Sequence, residues 1–87
     1  MNHPDISIVI RTLNEAFHLP SLLSSIKSQK CKFSYEVVLI DSGSTDKTLE
    51  IAEEFKCRIT YIKKKDFSFG RSLNRGIDFS KGKFIVL

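Results

Sequence analysis

Three polar segments hold the residue types that chemistry needs. They are Arg11-Thr12-Leu13-Asn14-Glu15, Asp41-Ser42-Gly43-Ser44-Thr45-Asp46 and the stretch from Lys63 to Asn74. The first two follow directly on apolar runs. A carboxylate at a strand tip, where Asp41 would sit, can accept hydrogen bonds from a nucleobase or a ribose. Gly43 permits close backbone approach or a positive φ. Ser44 and Thr45 would then open a helix whose N-terminus favours anions. The same residues also suit a plain strand-to-helix turn with an N-cap, and the pattern alone leaves both readings open.

Other chemistries lack their residues. Neither G-x-G-x-x-G nor a P-loop is present, which disfavours a Rossmann dinucleotide site or an NTPase. Cys31 and Cys57 have neither CxxC spacing nor a His cluster, so a zinc site is not expected. Reduced thiols in a cytosolic protein are the default. His3 and His18 have no visible Ser or Cys partner. His3 reads as a terminal residue and His18 as the residue leading into a helix. Lys63-Lys64-Lys65 reads as a solvated charge run at a strand end.

The elements that must position these residues are legible as periodicities. Four short runs are rich in β-branched or aromatic residues: Ile6–Ile10, Glu36–Ile40, Ile59–Ile62 and Phe84–Leu87. They suit strands covered on both faces, as in parallel sheets. Leu19, Leu22, Leu23 and Ile26 mark a first helix, with Pro20 in its first turn. Leu49, Ile51, Ala52 and Phe55 mark a second, with Ser44, Thr45 and Asp46 as N-cap side chains. The third pattern is thinner: Leu73 and Ile77 are four apart, Gly76 interrupts, and Lys81-Gly82 reads as a stop. The expected order is β-α-β-α-β-α-β, a three-layer α-β-α domain on a parallel sheet. Ligands of such sheets sit outside the carboxyl ends of the strands, where the three polar segments fall.

Size and composition bound the rest. Eighty-seven residues make one small domain or part of one. The chain is 41% hydrophobic and 28% charged, which excludes collagen, low-complexity disorder and a disulfide-dense scaffold. No apolar run approaches the roughly 20 residues of a bilayer span, and the N-terminus lacks the regions of a signal peptide. The net charge of +4 falls entirely in residues 44–87, the first half being balanced. This bias suits an anionic small molecule, a membrane surface or nucleic acid, and also a plain solvated surface.

The residues in order resemble a known family. Ser7–Glu15, Leu19-Pro20-Ser21-Leu22-Leu23 and Val38–Asp46 closely resemble the start of a family-2 glycosyltransferase. Phe67–Gly76 resembles the following segment, particularly in rhamnosyltransferase-like members, and Lys81–Leu87 resembles the strand before the family's metal motif. The resemblance covers essentially the whole chain. It implies the nucleotide-binding half of a GT-A fold, with strand order 3-2-1-4, and so a partial GT-A domain over residues 1–87. It also implies hexosyl transfer from a nucleotide-diphospho-sugar donor to an acceptor hydroxyl, with inversion, in polysaccharide or glycoconjugate synthesis. A divalent cation, Mg or Mn, is expected in the full-length enzyme to stabilise the leaving diphosphate, and a carboxylate base to take the acceptor proton.

Carried over by position, Arg11, Thr12, Leu13, Asn14 and Glu15 match the first nucleotide-contacting loop. Asp41 and Ser42 match the second, which faces base and ribose. Arg71 and Asn74 fall in the segment that approaches the diphosphate. Leu13 stands where many relatives have an aromatic residue, and Ser42 where many have a second acid. These departures leave deoxythymidine beside uridine as the donor base. The chain stops before the Asp-x-Asp motif, so no catalytic or metal-binding residue is assigned and the fragment is expected to be inactive. A stand-alone nucleotide-binding or regulatory module is the alternative; no nucleic-acid partner is expected, because no aromatic-interleaved basic stripe is present. The expected location is cytoplasmic or peripheral at the inner face of the membrane. A homo-oligomer through the exposed C-terminal strand is also expected.

Overall fold

The computed structural model describes residues 4–29, 33–63, 69–82 and 84–86. His3, Cys31, Lys64 and Lys65, the Asp66-Phe67-Ser68 part of the third polar segment, Lys83 and Leu87 lie outside the described residues. Seven elements follow one another: β1 (Ile6–Thr12), α1 (Leu19–Ser28), β2 (Tyr35–Asp41), α2 (Thr48–Glu54), β3 (Arg58–Tyr61), α3 (Phe69–Phe79) and β4 (Phe84–Val86). The strands are parallel and lie in the expected order, β3-β2-β1-β4.

The continuous apolar run of β2 has the expected cause, because both of its faces are covered. Leu39 packs with Leu19, Leu23 and Ala52 of α1 and α2 on one face. Val38 and Ile40 pack with Val9 of β1 and Phe79 of α3 on the other. Side chains alternate across a strand, so one run of sequence feeds two cores. All three layers of the expected architecture are therefore present.

Several boundaries differ from the sequence pattern. β1 runs on through Arg11 and Thr12, and β2 through Asp41, because Thr12 pairs in register with Asp41. α2 begins at Thr48 after Lys47, not at Ser44–Asp46, and no side chain of the N-cap residue caps it. It ends at Glu54, with Phe55 as the C-cap and Lys56 at φ 60. There the Lys56 N–H donates to the Glu53 carbonyl and the Cys57 N–H to the Ala52 carbonyl. This is a Schellman closure with Lys where Gly is usual. Leu22 and Ile77, expected on apolar helix faces, are exposed by 44% and 41%.

Gly76 is not an interruption. It is buried within α3, and a Cβ there would lie 2.5 Å from Val9 Cγ1 and 2.6 Å from Ile40 Cδ1. The missing side chain is what lets α3 lie close on β1 and β2. A second tether secures the chain between α3 and β4 at the amino ends of the strands. Glu36 accepts from Ser7 Oγ, from Arg58 at 2.8 Å and from the Lys81 N–H at 2.7 Å. Arg58 also donates to the Phe79 carbonyl at 2.9 Å and lies over the Phe79 ring. The Gly82 N–H donates to Ser7 Oγ at 2.7 Å, an approach that a Cβ on Gly82 would block.

Two helical glycines should therefore respond in opposite senses. Gly76→Leu is expected to destabilise the fold by about 1–3 kcal/mol through overpacking. Gly70→Ala is expected to gain roughly 0.5–1 kcal/mol, since nothing lies within 4 Å of a Cβ there. Urea denaturation checks both, and a Gly76→Leu protein as stable as wild type would refute the close approach.

Candidate functional site

The carboxyl ends of β1 and β2 lead into two loops, residues 13–18 and 42–47. Asp41 closes β2 with its side chain 1% exposed. Its Oδ1 accepts from Thr12 Oγ1 at 2.8 Å and Ser44 Oγ at 2.5 Å. Its Oδ2 accepts from the N–H groups of Gly43 at 2.9 Å and Ser44 at 2.7 Å. A buried carboxylate is tolerated only when donors surround it, and here four do. Burial pushes the Asp41 carboxyl up, but the donors from Ser44, Thr12 and Gly43 together outweigh it and hold it below its ordinary value. Gly43 takes φ 112 to let the chain double back over the carboxylate.

Asn14 performs the reciprocal task from the first loop. It sits at φ 53, a left-handed conformation that Asn tolerates better than most residues. Its Oδ1 accepts from the N–H groups of Thr45 at 2.8 Å and Asp46 at 3.3 Å, and its own N–H donates to Ser44 Oγ at 2.9 Å. Further along, the Glu15 N–H donates to Thr48 Oγ1 at 2.9 Å and the Ala16 N–H to Asp46 Oδ2 at 3.2 Å. Asp46 Oδ1 accepts from the Thr48 N–H at 2.9 Å and from the Thr48 hydroxyl. The Thr48 hydroxyl and the amides of Thr48 and Ala16 hold the Asp46 carboxyl below its usual range. The two loops are thus laced into one unit.

Within this lacing the backbone amides of the second loop find partners inside the protein. The N–H groups of Gly43, Ser44, Thr45, Asp46 and Thr48 all donate to side chains of the protein itself. The seven-residue α2 begins at Thr48, the last of them. Thr12 and Ser42 are likewise turned inward: Ser42 is 1% exposed, and both its N–H and its hydroxyl donate to the Thr12 carbonyl. The side chains of Thr12, Asn14, Asp41 and Ser42 build the loops. Arg11 is exposed, and Leu13 and Glu15 are half-buried.

Arg71 and Asn74 lie elsewhere, in an open cleft of ≈ 620 Å³ between α3 and the carboxyl end of β3. Tyr61, Ile62, Lys63, Arg75 and Asp78 complete its lining. Arg71, Asn74, Arg75 and Asp78 share one face of α3 by their i, i+3, i+4, i+7 spacing. That spacing was a readable signal for Arg75 and Asp78, which the motif comparison passed over. Among the described lining residues are three cations, Lys63, Arg71 and Arg75, and one carboxylate, Asp78. The Ile62 N–H donates to the Asp41 carbonyl at 2.9 Å, which ties the cleft's rim to the laced loops.

Among the described residues no group of three His, Cys, Asp or Glu side chains converges as a metal site would require. Asp41 and Asp46 are engaged by internal donors. The residues described here therefore do not fit a divalent cation. Among them, too, no helix is long and apolar enough to cross a membrane.

Comparisons with known proteins bear on the family and the fold. The profile of glycosyl transferase family 2 matches residues 7–87. The chain is 40% identical over 90 residues to a PGL/p-HBAD biosynthesis glycosyltransferase of Mycobacterium bovis (strain BCG / Pasteur 1173P2), covering 99% of this chain and 35% of that protein. The chain thus spans about a third of that relative's length. S. aureus TarS 1-349 superposes with a TM-score of 0.80 at 26% identity, over 93% of this chain and 26% of that one. Glucosyl-3-phosphoglycerate synthase from Mycobacterium tuberculosis, solved with Mn2+, UDP and glucosyl-3-phosphoglycerate, gives 0.73 at 26% identity, over 95% and 33%.

Replacing Asp41 with Asn tests the lacing. Asn keeps the size but offers one acceptor oxygen and two donors, which face donors already in place. Asp41→Asn is expected to cost about 1–3 kcal/mol. Because the folded-state pKa of Asp41 is depressed, its stabilisation is complete above the unfolded value and fades as pH falls through the folded one. Wild-type stability should therefore drop below about pH 4 more steeply than that of Asp41→Asn. Parallel acid slopes in thermal melts of the two proteins would contradict this.

Proposed function

The chain belongs to glycosyl transferase family 2, and from that premise we propose that it is the nucleotide-diphospho-sugar-binding part of an inverting hexosyltransferase. The observation that carries the proposal is the cationic cleft beside the laced loops at the carboxyl ends of the strands. In this reading residues 1–87 form part of a larger GT-A domain. Arg71 and Asn74, with Lys63 and Arg75 beside them, face the donor diphosphate. Arg11, Leu13 and Glu15 face the nucleoside. Thr12, Asn14, Asp41 and Ser42 act from behind, by fixing the loops.

The chemistry follows from the charges. Transfer of the sugar leaves negative charge on the departing diphosphate. Fixed cations within a partly enclosed cleft stabilise that charge without reorganising. Arginine suits the task because its guanidinium stays charged and matches phosphate oxygens geometrically. A divalent cation would add charge stabilisation at the same leaving group, held by residues other than those described here. The base that takes the acceptor proton also belongs to another part of the enzyme in this reading. The isolated chain binds donor and transfers nothing. The acceptor belongs to polysaccharide or glycoconjugate synthesis, a reading supported by the PGL/p-HBAD relative, and the work is done in the cytoplasm or at the inner membrane face. Among the described strands β4 has one neighbour, β1, so its outer edge is open to a second copy.

Titration calorimetry with UDP and with dTDP tests the binding half of the proposal. Arg71→Ala is expected to weaken the preferred nucleotide by about tenfold or more, through loss of a charge-assisted hydrogen bond. Urea melts of the same variant separate a loss of binding from a loss of fold. Equal affinity in wild type and variant removes Arg71 from the site. Sugar transfer by the purified 87-residue chain with manganese or magnesium would overturn the division of labour. For the association, sedimentation equilibrium should give a mass above 9.9 kDa that Val86→Lys reduces. A constant 9.9 kDa at high concentration rejects pairing at β4.

A further inference from the structure

We infer that Asn14 is a positioning residue for nucleotide binding, a latch that sets the first loop against the second without itself touching the ligand. This rests on the reading above that a nucleoside diphosphate binds at the carboxyl ends of the strands.

Three observations converge on Asn14. Its backbone is held at φ 53, so the chain turns there in a way that few side chains permit. Its side-chain oxygen accepts from two consecutive amides of the other loop, Thr45 and Asp46. Its own amide donates to Ser44 Oγ, the same hydroxyl that donates to Asp41. Asn14 is thereby a link, beside the direct Thr12–Asp41 bond, between the Asp41 anchor and the first loop. The oxygen that a ligand would want is already spent on the protein.

The consequence is geometric. Arg11, Leu13 and Glu15 flank Asn14 in sequence, and Arg71 and Asn74 stand on another element. For both sets to meet one nucleotide, the first loop must hold a fixed place relative to the sheet. An unlatched loop must be ordered at each binding event, which lowers affinity. Two properties of Asn are needed together: tolerance of the left-handed conformation and an acceptor oxygen. Gly supplies the first alone, and Asp supplies both.

The test therefore compares Asn14→Gly with Asn14→Asp. UDP titrations are run at about 0.5 M salt, where screening within about 4 Å suppresses the charge that Asp adds. Asn14→Gly is expected to weaken UDP about three- to tenfold, and Asn14→Asp to keep most of the wild-type affinity. Unchanged affinity in Asn14→Gly overturns the latch. Equal loss in both variants assigns Asn14 to direct contact and overturns it too. Amide exchange on the unliganded proteins gives a readout free of nucleotide. The Thr45 and Asp46 amides should lose protection in Asn14→Gly and keep it in Asn14→Asp, and unchanged protection in Asn14→Gly counts against the latch. If wild type fails to bind UDP and dTDP, the nucleotide reading falls, and the exchange data then judge the latch separately.

Discussion

Burying the Asp41 carboxylate is the constraint on which the site depends. Within β2 the three residues before it are fully buried, and Asp41 is 1% exposed. An ionised group in that position demands donors, and here they come from both a strand and a loop. Thr12 supplies one from β1, and Gly43 and Ser44 supply three from the loop that follows. Meeting the demand pulls β1 and the second loop into one fixed arrangement. Asn14 and Asp46 then extend the same logic outward with side-chain acceptors for amides. The loops owe their shape to the acceptors placed among them, more than to any turn propensity of their own.

The same device works at the opposite end of the same strand. Glu36, near the start of β2, gathers Ser7, Arg58 and the Lys81 amide, and so fixes the connection into β4. Burial raises the Glu36 carboxyl, yet the bonds from Ser7 and Lys81 and the Arg58 charge bring it below its usual value. β2 thus has an acid near each end and apolar residues between. The apolar residues hold three layers together, and the acids determine how chain crossing each end of the sheet is tied down. A central parallel strand has little other freedom, since its faces are already committed to cores.

Most of the architecture was legible because it rests on periodicity. The alternation of strand and helix and the identity of the buried runs follow from patterns of apolar residues, while the strand order is what the family resemblance implies. Gly76 was misread for a physical reason: glycine in a helix weakens it locally, and only the neighbours Val9 and Ile40 reveal why none but glycine fits. Lys56 at a left-handed helix end carries no sequence signal, because Gly is the usual occupant. The start of α2 was misplaced because Ser44, Thr45 and Asp46 are all good caps. Their side chains and amides were instead drawn to Asp41, Asn14 and Thr48, partners up to 31 residues away for Thr45. Motif positions were legible, but which of them face a ligand was not.

That last distinction is the most consequential. A polar residue in a sequence announces a need for a partner, without saying whether protein or ligand will meet it. In the first two segments the protein meets much of the need: carboxylate faces amide and hydroxyl faces carbonyl. In the cleft on α3 the described residues are of another kind. Among them Lys63, Arg71 and Arg75 are like charges, and Asp78 is the one carboxylate. Bringing cations together costs energy, and an anion entering the cleft lowers that cost. A diphosphate is proposed there from the charges of the described lining, whereas the most motif-like residues of the loops serve the fold.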